Sequence, residues 1–246
     1  MKLALATEAL EQALILMSDG GFPITEKVSI AVDKKLPFMG YTAEKNGHPL
    51  IVISQWALSS DMLTGLLVHE LSHVHRIQAN HPSHNSSLHN KVIQKVFKGK
   101  KLFPYQENTI HNIINNIQDL YADDISFLVY IKKSHPKNLN EFFLGWIHNP
   151  IPNPLSQEDL WKNAELLLST AFANANLKRH KVIDTGDKIK NATQTFLSKI
   201  DKKLNQKFDY FKNMMINLPE NVTDIEFEKL LSDYIREFLK LTQSSV

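Results

Sequence analysis

Hydrophobic and polar positions along this chain follow two different periods, and the switches between them mark the predicted elements. Residues 2–17 carry apolar side chains at helical spacing and run into Asp19-Gly20-Gly21, a helix-stop signal. Val28 to Val32 then alternates in strand fashion, Lys34-Lys35-Leu36-Pro37 reads as a turn, and Phe38 to Ala43 is a second strand candidate. Asn46-Gly47 is a two-residue hairpin signal, and Leu50 to Ser54 is an apolar, β-branched third strand. The expectation is a short antiparallel sheet of about three strands. One of its edge strands, Ile51 to Ser54, is a candidate for pairing with an extended peptide.

The period then becomes helical. With a start at Ser59, Ser60 or Asp61, residues Leu63, Leu66, Leu67, Leu71, Val74 and Ile77 fall on one arc of a helix turning about 100° per residue. A histidine-rich stretch, Ala79 to Leu88, reads as a loop, and His81, His84 and His89 are expected to be solvated, with a second metal site as the alternative. A helix through Val92 to Phe97 follows. The next helix, Asn108 to Ile131, has an apolar arc of Ile110, Ile113, Ile114, Ile117, Leu120, Tyr121, Ile125, Leu128 and Ile131.

Beyond His148-Asn149-Pro150-Ile151-Pro152-Asn153-Pro154, whose prolines break any helix, the pattern is helical to the end. Helices are expected over Gln157 to Leu177, as one long helix from Asp187 to Asn217, and from Thr223 or Asp224 onward. The long helix carries Ile189, Ala192, Phe196, Ile200, Leu204, Phe208, Phe211 and Met215 as a core stripe. The fold class implied is α+β, mostly α. A small antiparallel sheet packs on the helix around residue 70 and on the helix around residue 120, in a domain over 1–150. An all-helical region over 151–246 follows, either as an appendage or packed on the first as one unit.

Candidate chemistry sits inside the apolar helix. His69-Glu70-Leu71-Ser72-His73 sets two imidazoles at i and i+4, one turn apart, where both reach a single ion. Glu70 beside them is placed to move a proton on and off a metal-activated water. Gly65 sits one turn before His69, where a side chain would crowd a ligand. The chain has no cysteine, so further ligands must be His, Asp or Glu, and zinc is the fitting ion.

A catalytic zinc normally takes three protein ligands. The helix over 108–131 offers the third. Opposite its apolar arc lie His111, Asn112, Asn115, Asn116, Asp119 and Asp123, and the segment contains no Lys, Arg or Glu. Asn and Asp are poorer helix formers than the usual surface residues, so this face is expected to look inward on something polar. Asp119 and Asp123 stand one turn apart. Either could ligate while the other orients an imidazole through its outer nitrogen.

At this point the chain resembles the gluzincin zinc metallopeptidases, in a compact, minimal form. Those enzymes pair His-Glu-x-x-His with a later helix, here matched by Asp119-Leu120-Tyr121-Ala122-Asp123. The resemblance covers roughly residues 25 to 130. It implies His69, His73 and Asp119 as zinc ligands, Glu70 as general base, Asp123 as the carboxylate behind a ligand, and a small sheet ahead of the helix. The third ligand departs from the usual Glu, and Gln118 stands where thermolysin-like enzymes have Asn. Tyr121, Tyr130 and His148 are candidates for stabilising the oxyanion.

The totals set bounds. Charged residues make up 22%, the net charge is +2, and hydrophobic residues 43%. A charge so small gives no argument for nucleic acid. Glu8 and Glu11 interrupt the N-terminal apolar run, and no stretch reaches 18 apolar residues, so neither a signal peptide nor a membrane span is expected. The expected protein is a soluble, cytoplasmic zinc metallopeptidase, an endopeptidase acting on a peptide or protein. The rival is a binding or regulatory module of the same fold with a structural metal.

Overall fold

The computed structural model describes residues 2–131 and 139–242. The architecture is α+β and mostly α: a small three-stranded sheet among helices, with a helical C-terminal region. Contacts divide the chain into two units, one of residues 1–84 and 121–138, the other of 85–120 and 139–246.

The first unit opens with α1 (Lys2–Asp19). Its end is made by glycines for two different reasons. Gly21 takes φ +87, and Phe22 N–H reaches back to the Met17 carbonyl at 2.9 Å, closing the last turn. At Gly20 a Cβ would lie 2.6 Å from Val129 Cγ2, so only glycine lets that valine approach.

Three strands follow, β1 (Ser29–Asp33), β2 (Gly40–Lys45) and β3 (His48–Ser54). Asn46 and Gly47 both have positive φ, as a tight hairpin turn requires, and Lys45 pairs with His48 across it. The sheet differs from the expected antiparallel one. Its order is β1-β3-β2, with β2 antiparallel and β1 parallel to β3. Residues 50–54, expected at an edge, are therefore the centre. Ile51 to Ser54 are buried, Ile51 and Ile53 in the core with α1 and the helix that follows, and β2 is an outer strand.

After Ser60, whose hydroxyl accepts from Met62 N–H at 3.1 Å, comes α2 (Leu63–Gln78). Its Leu63, Leu67, Val68 and Leu71 join Ala6, Leu10, Ala13 and Met17 of α1 and Ile51 and Ile53 of β3 in one core. Burying each large aliphatic side chain contributes about 1.5–3 kcal/mol, which fixes the rotation of α2 about its axis. Ile77, assigned to the apolar arc, is instead 52% exposed at the last turn. A long helix, α4 (Pro104–Ser126), ends in a π-turn, Phe127–Ile131, and returns Ile125 and Val129 to this core.

The second unit contains α3 (Ser86–Phe97), α5 (Leu139–Leu144), α6 (Gln157–His180), α7 (Lys188–Lys199), α8 (Lys202–Asn205), α9 (Phe208–Ile216) and α10 (Asp224–Leu241). Helix α6 buries Trp161, Leu167, Leu168 and Phe172 together with the polar Asn163, Thr170 and Asn176, and packs along α9. Both α6 and α10 start with capping boxes, Ser156 with Asp159 and Thr223 with Glu226.

The expected single helix from 187 to 217 is three. Ile200 is extended at φ −85, ψ 157, and the Asp201 side chain caps the restart by accepting from Lys203 N–H at 2.7 Å. The spacing explains the break. Steps of four residues from Ala192 to Phe208 drift about 160° around a straight helix, so its core stripe would leave the core. Interrupting the helix keeps Ile189, Phe196, Ile200, Leu204, Phe208, Phe211 and Met215 buried. Among the described residues, no helix is long and apolar enough to cross a membrane.

Candidate metal centre

With Leu67, Val68, Leu71 and Val74 committed to the core, α2 presents His69 and His73 at the margin, both half-buried, and Glu70 at 5% exposure. The two rings meet edge to face with centroids 4.7 Å apart. Their Nε2 atoms are 3.1 Å from each other. Asp119 completes the group: one ligand atom from each of His69, His73 and Asp119 lies within 4.8 Å of the others. Around a tetrahedral zinc with bonds near 2.0–2.1 Å, ligand atoms stand about 3.3 Å apart. The imidazole pair is already near that spacing, and the donor set, two neutral nitrogens and a carboxylate, suits zinc.

The partners behind the imidazoles are equally specific. His69 Nδ1 lies 2.8 Å from Asp123 Oδ1. A carboxylate accepts, so Nδ1 carries the proton. Asp123 is 6% exposed and also receives the Ser126 hydroxyl at 3.4 Å. Of the two aspartates, Asp119 lies with the imidazole pair and Asp123 behind His69.

Glu70 is held from the sheet. The Thr42 hydroxyl on β2 lies 2.8 Å from Glu70 Oε2 and 3.1 Å from the Glu70 carbonyl, and donates to that acceptor pair. A buried carboxylate is costly without such a partner. The contact engages Oε2 and not Oε1.

Two features were not anticipated from the sequence. Arg76, three residues after His73 and 5% exposed, donates from Nε (3.1 Å) and Nη2 (2.8 Å) to the Tyr121 carbonyl. Its guanidinium also lies 5.5 Å from the Tyr121 ring centre. Tyr121 stands midway between Asp119 and Asp123, so this clamp sets the phase of α4 against α2. The signal was its seven-residue spacing from His69, which puts the two side chains on one face of α2, away from the apolar arc. The second feature is the short turn Pro82–His84. The expectation that His81, His84 and His89 are solvated is overturned. His84 Nε2 lies 2.8 Å from His73 Nδ1, His81 Nδ1 lies 2.7 Å from Ser83 Oγ, and His89 is 9% exposed.

The remaining expectations divide. On α4, Asn116 and Asp123 are buried and Asp119 half-buried, but His111, Asn112 and Asn115 are exposed. The inward polar face is thus confined to the C-terminal half, while Asn112 donates to Glu165 at 2.8 Å. The group facing Gly65 is the Tyr130 ring, 3.5 Å from where a Cβ would stand, and not a ligand. Of the oxyanion candidates, Tyr130 is thereby beside α2 one turn before His69. Tyr121 is buried, its ring 4.7 Å from that of His81, and His148 is exposed.

No curated protein and no solved structure matches the chain. A family profile matches residues 13–240, and the chain accordingly belongs to the family of unknown function DUF5781.

Proposed function

We propose that this protein is a zinc-dependent peptidase in which His69, His73 and Asp119 hold the metal and Glu70 is the general base. The observation that carries the reading is the pair of Nε2 atoms 3.1 Å apart with the Asp119 carboxylate beside them. The resemblance of His69-Glu70-Leu71-Ser72-His73 and Asp119-Leu120-Tyr121-Ala122-Asp123 to the gluzincin pattern supports it.

When bound, zinc supplies Lewis acidity to a scissile carbonyl and to a water molecule. The protein side chains do the rest. Thr42 holds Glu70 Oε2, so Oε1 takes the proton from the attacking water and delivers it to the departing amine. Asp123 keeps the His69 proton on Nδ1. Strand β2, which carries Thr42, is an outer strand, and an extended peptide aligned on its free edge would pass Glu70.

The test is hydrolysis of casein or of a peptide library by wild type and Glu70→Gln. General-base catalysis is worth about 10²–10⁴-fold, so the variant should lose at least that much turnover while retaining zinc. Equal rates would remove Glu70 from the mechanism. A wild type that holds zinc and hydrolyses nothing would leave a structural metal in a binding module.

A further inference from the structure

We infer that the turn Pro82–His84 is part of the metal centre, with Ser83 and His84 as positioning residues that fix the tautomer of His73. This rests on His73 being a ligand, as proposed above. It assigns a role to a turn that carries none of the metal-binding motif.

The inference follows from which atoms can donate. A backbone N–H only donates, and Ser83 N–H points at His81 Nδ1, 3.3 Å away. That nitrogen is therefore unprotonated. Ser83 Oγ is 2.7 Å from the same nitrogen, so the hydroxyl spends its one proton there. Ser83 Oγ can then only accept at its other contact, His84 Nδ1 at 2.8 Å, which must carry a proton. A neutral imidazole has one N–H, so His84 Nε2 is bare. It accepts from His73 Nδ1 at 2.8 Å, and His73 Nε2 is left bare in turn.

From the other side, Asp123 bares His69 Nε2 by the same logic. A backbone amide at one end and a carboxylate at the other thus leave two lone pairs facing across 3.1 Å. His84 and Asp123 play the same part for different ligands. Outer partners of this kind typically change metal affinity about 10–100-fold.

Two measurements on the full chain test this. The first is zinc affinity by chelator competition for wild type, His84→Ala, His84→Gln and Ser83→Ala, with melting temperatures of the metal-free forms. His84→Ala should bind zinc about 10–100-fold more weakly. His84→Gln, whose amide oxygen can accept from His73 Nδ1–H, should recover most of the loss, and Ser83→Ala should fall between. The second is long-range ¹H–¹⁵N NMR of the metal-free protein, which needs neither zinc nor activity. It should show His84 as the Nδ1–H tautomer and His81 as the Nε2–H tautomer. Wild-type affinity in His84→Ala, no recovery in His84→Gln, or an Nε2–H tautomer at His84 overturns the inference alone. A wild type that binds no zinc overturns the peptidase reading and the positioning role with it.

Discussion

Helix α2 and helix α10 both set charged side chains beside an apolar stripe, and they treat them oppositely. On α10, Glu228 accepts from Lys91 and Lys95 of α3 at 2.7 Å each, and those lysines are 66% and 56% exposed. The same pattern recurs where Lys207 meets Glu237 at 3.1 Å. These are surface pairs between flexible side chains, of the kind that contributes little to stability. Around α2 the polar atoms are buried or half-buried, each contact is to a short side chain or a backbone atom, and the donors have one workable direction. Ion pairs alone do not mark a site. Polar groups that have given up water for fixed partners make the stronger candidate, because burying them is costly without those partners.

Replacing Asp123 by Ala should produce the largest effect short of removing a ligand or Glu70. It leaves His69 Nδ1–H without its acceptor, and zinc affinity should drop about 10–100-fold. Unchanged affinity would show that the buried contact is only structural. Thr42→Val removes the hydroxyl from Glu70 while keeping the shape of a β-branched strand residue. It should lower kcat several-fold and leave zinc content intact, and a kcat equal to wild type would detach β2 from the proposed chemistry.

Glu228→Gln should do least. Hydrogen bonds from Lys91, then Lys95, hold the Glu228 carboxyl down to about 2, from an ordinary value of 4.5. A depressed carboxylate pKa stabilises the fold above the ordinary value and loses that contribution as pH falls from 4.5 towards 2. The urea midpoint of Glu228→Gln should therefore lie slightly below wild type at pH 7, and converge on it at low pH or in high salt. A gap that persists in acid would mean that these lysines do more than pair.

The same contrast explains what could be read from the chain. Helices α2 and α4 were legible because residues such as Leu67, Leu71, Ile113 and Ile117 keep helical spacing, and the ligands are timed to the same period. The hairpin was legible from Asn46-Gly47, whose backbone only suits one turn. The parallel pairing of β1 with β3 was not, since β1 reaches its partner past β2 and no turn residue encodes that choice. The break at Ile200 was missed because the apolar stripe continues through it, and only the accumulated drift forbids a straight helix. His84 was missed for a different reason. Its role depends on the direction of hydrogen bonds through Ser83 to His81, which has no period at all.

The central claim is one cation held by two segments fifty residues apart. Metal content of the purified protein tests it most directly, in wild type, His73→Ala and Asp119→Ala. One equivalent of zinc in wild type, lost from both variants, is the predicted result. Wild type without metal, or zinc retained at full occupancy in both variants, would contradict it.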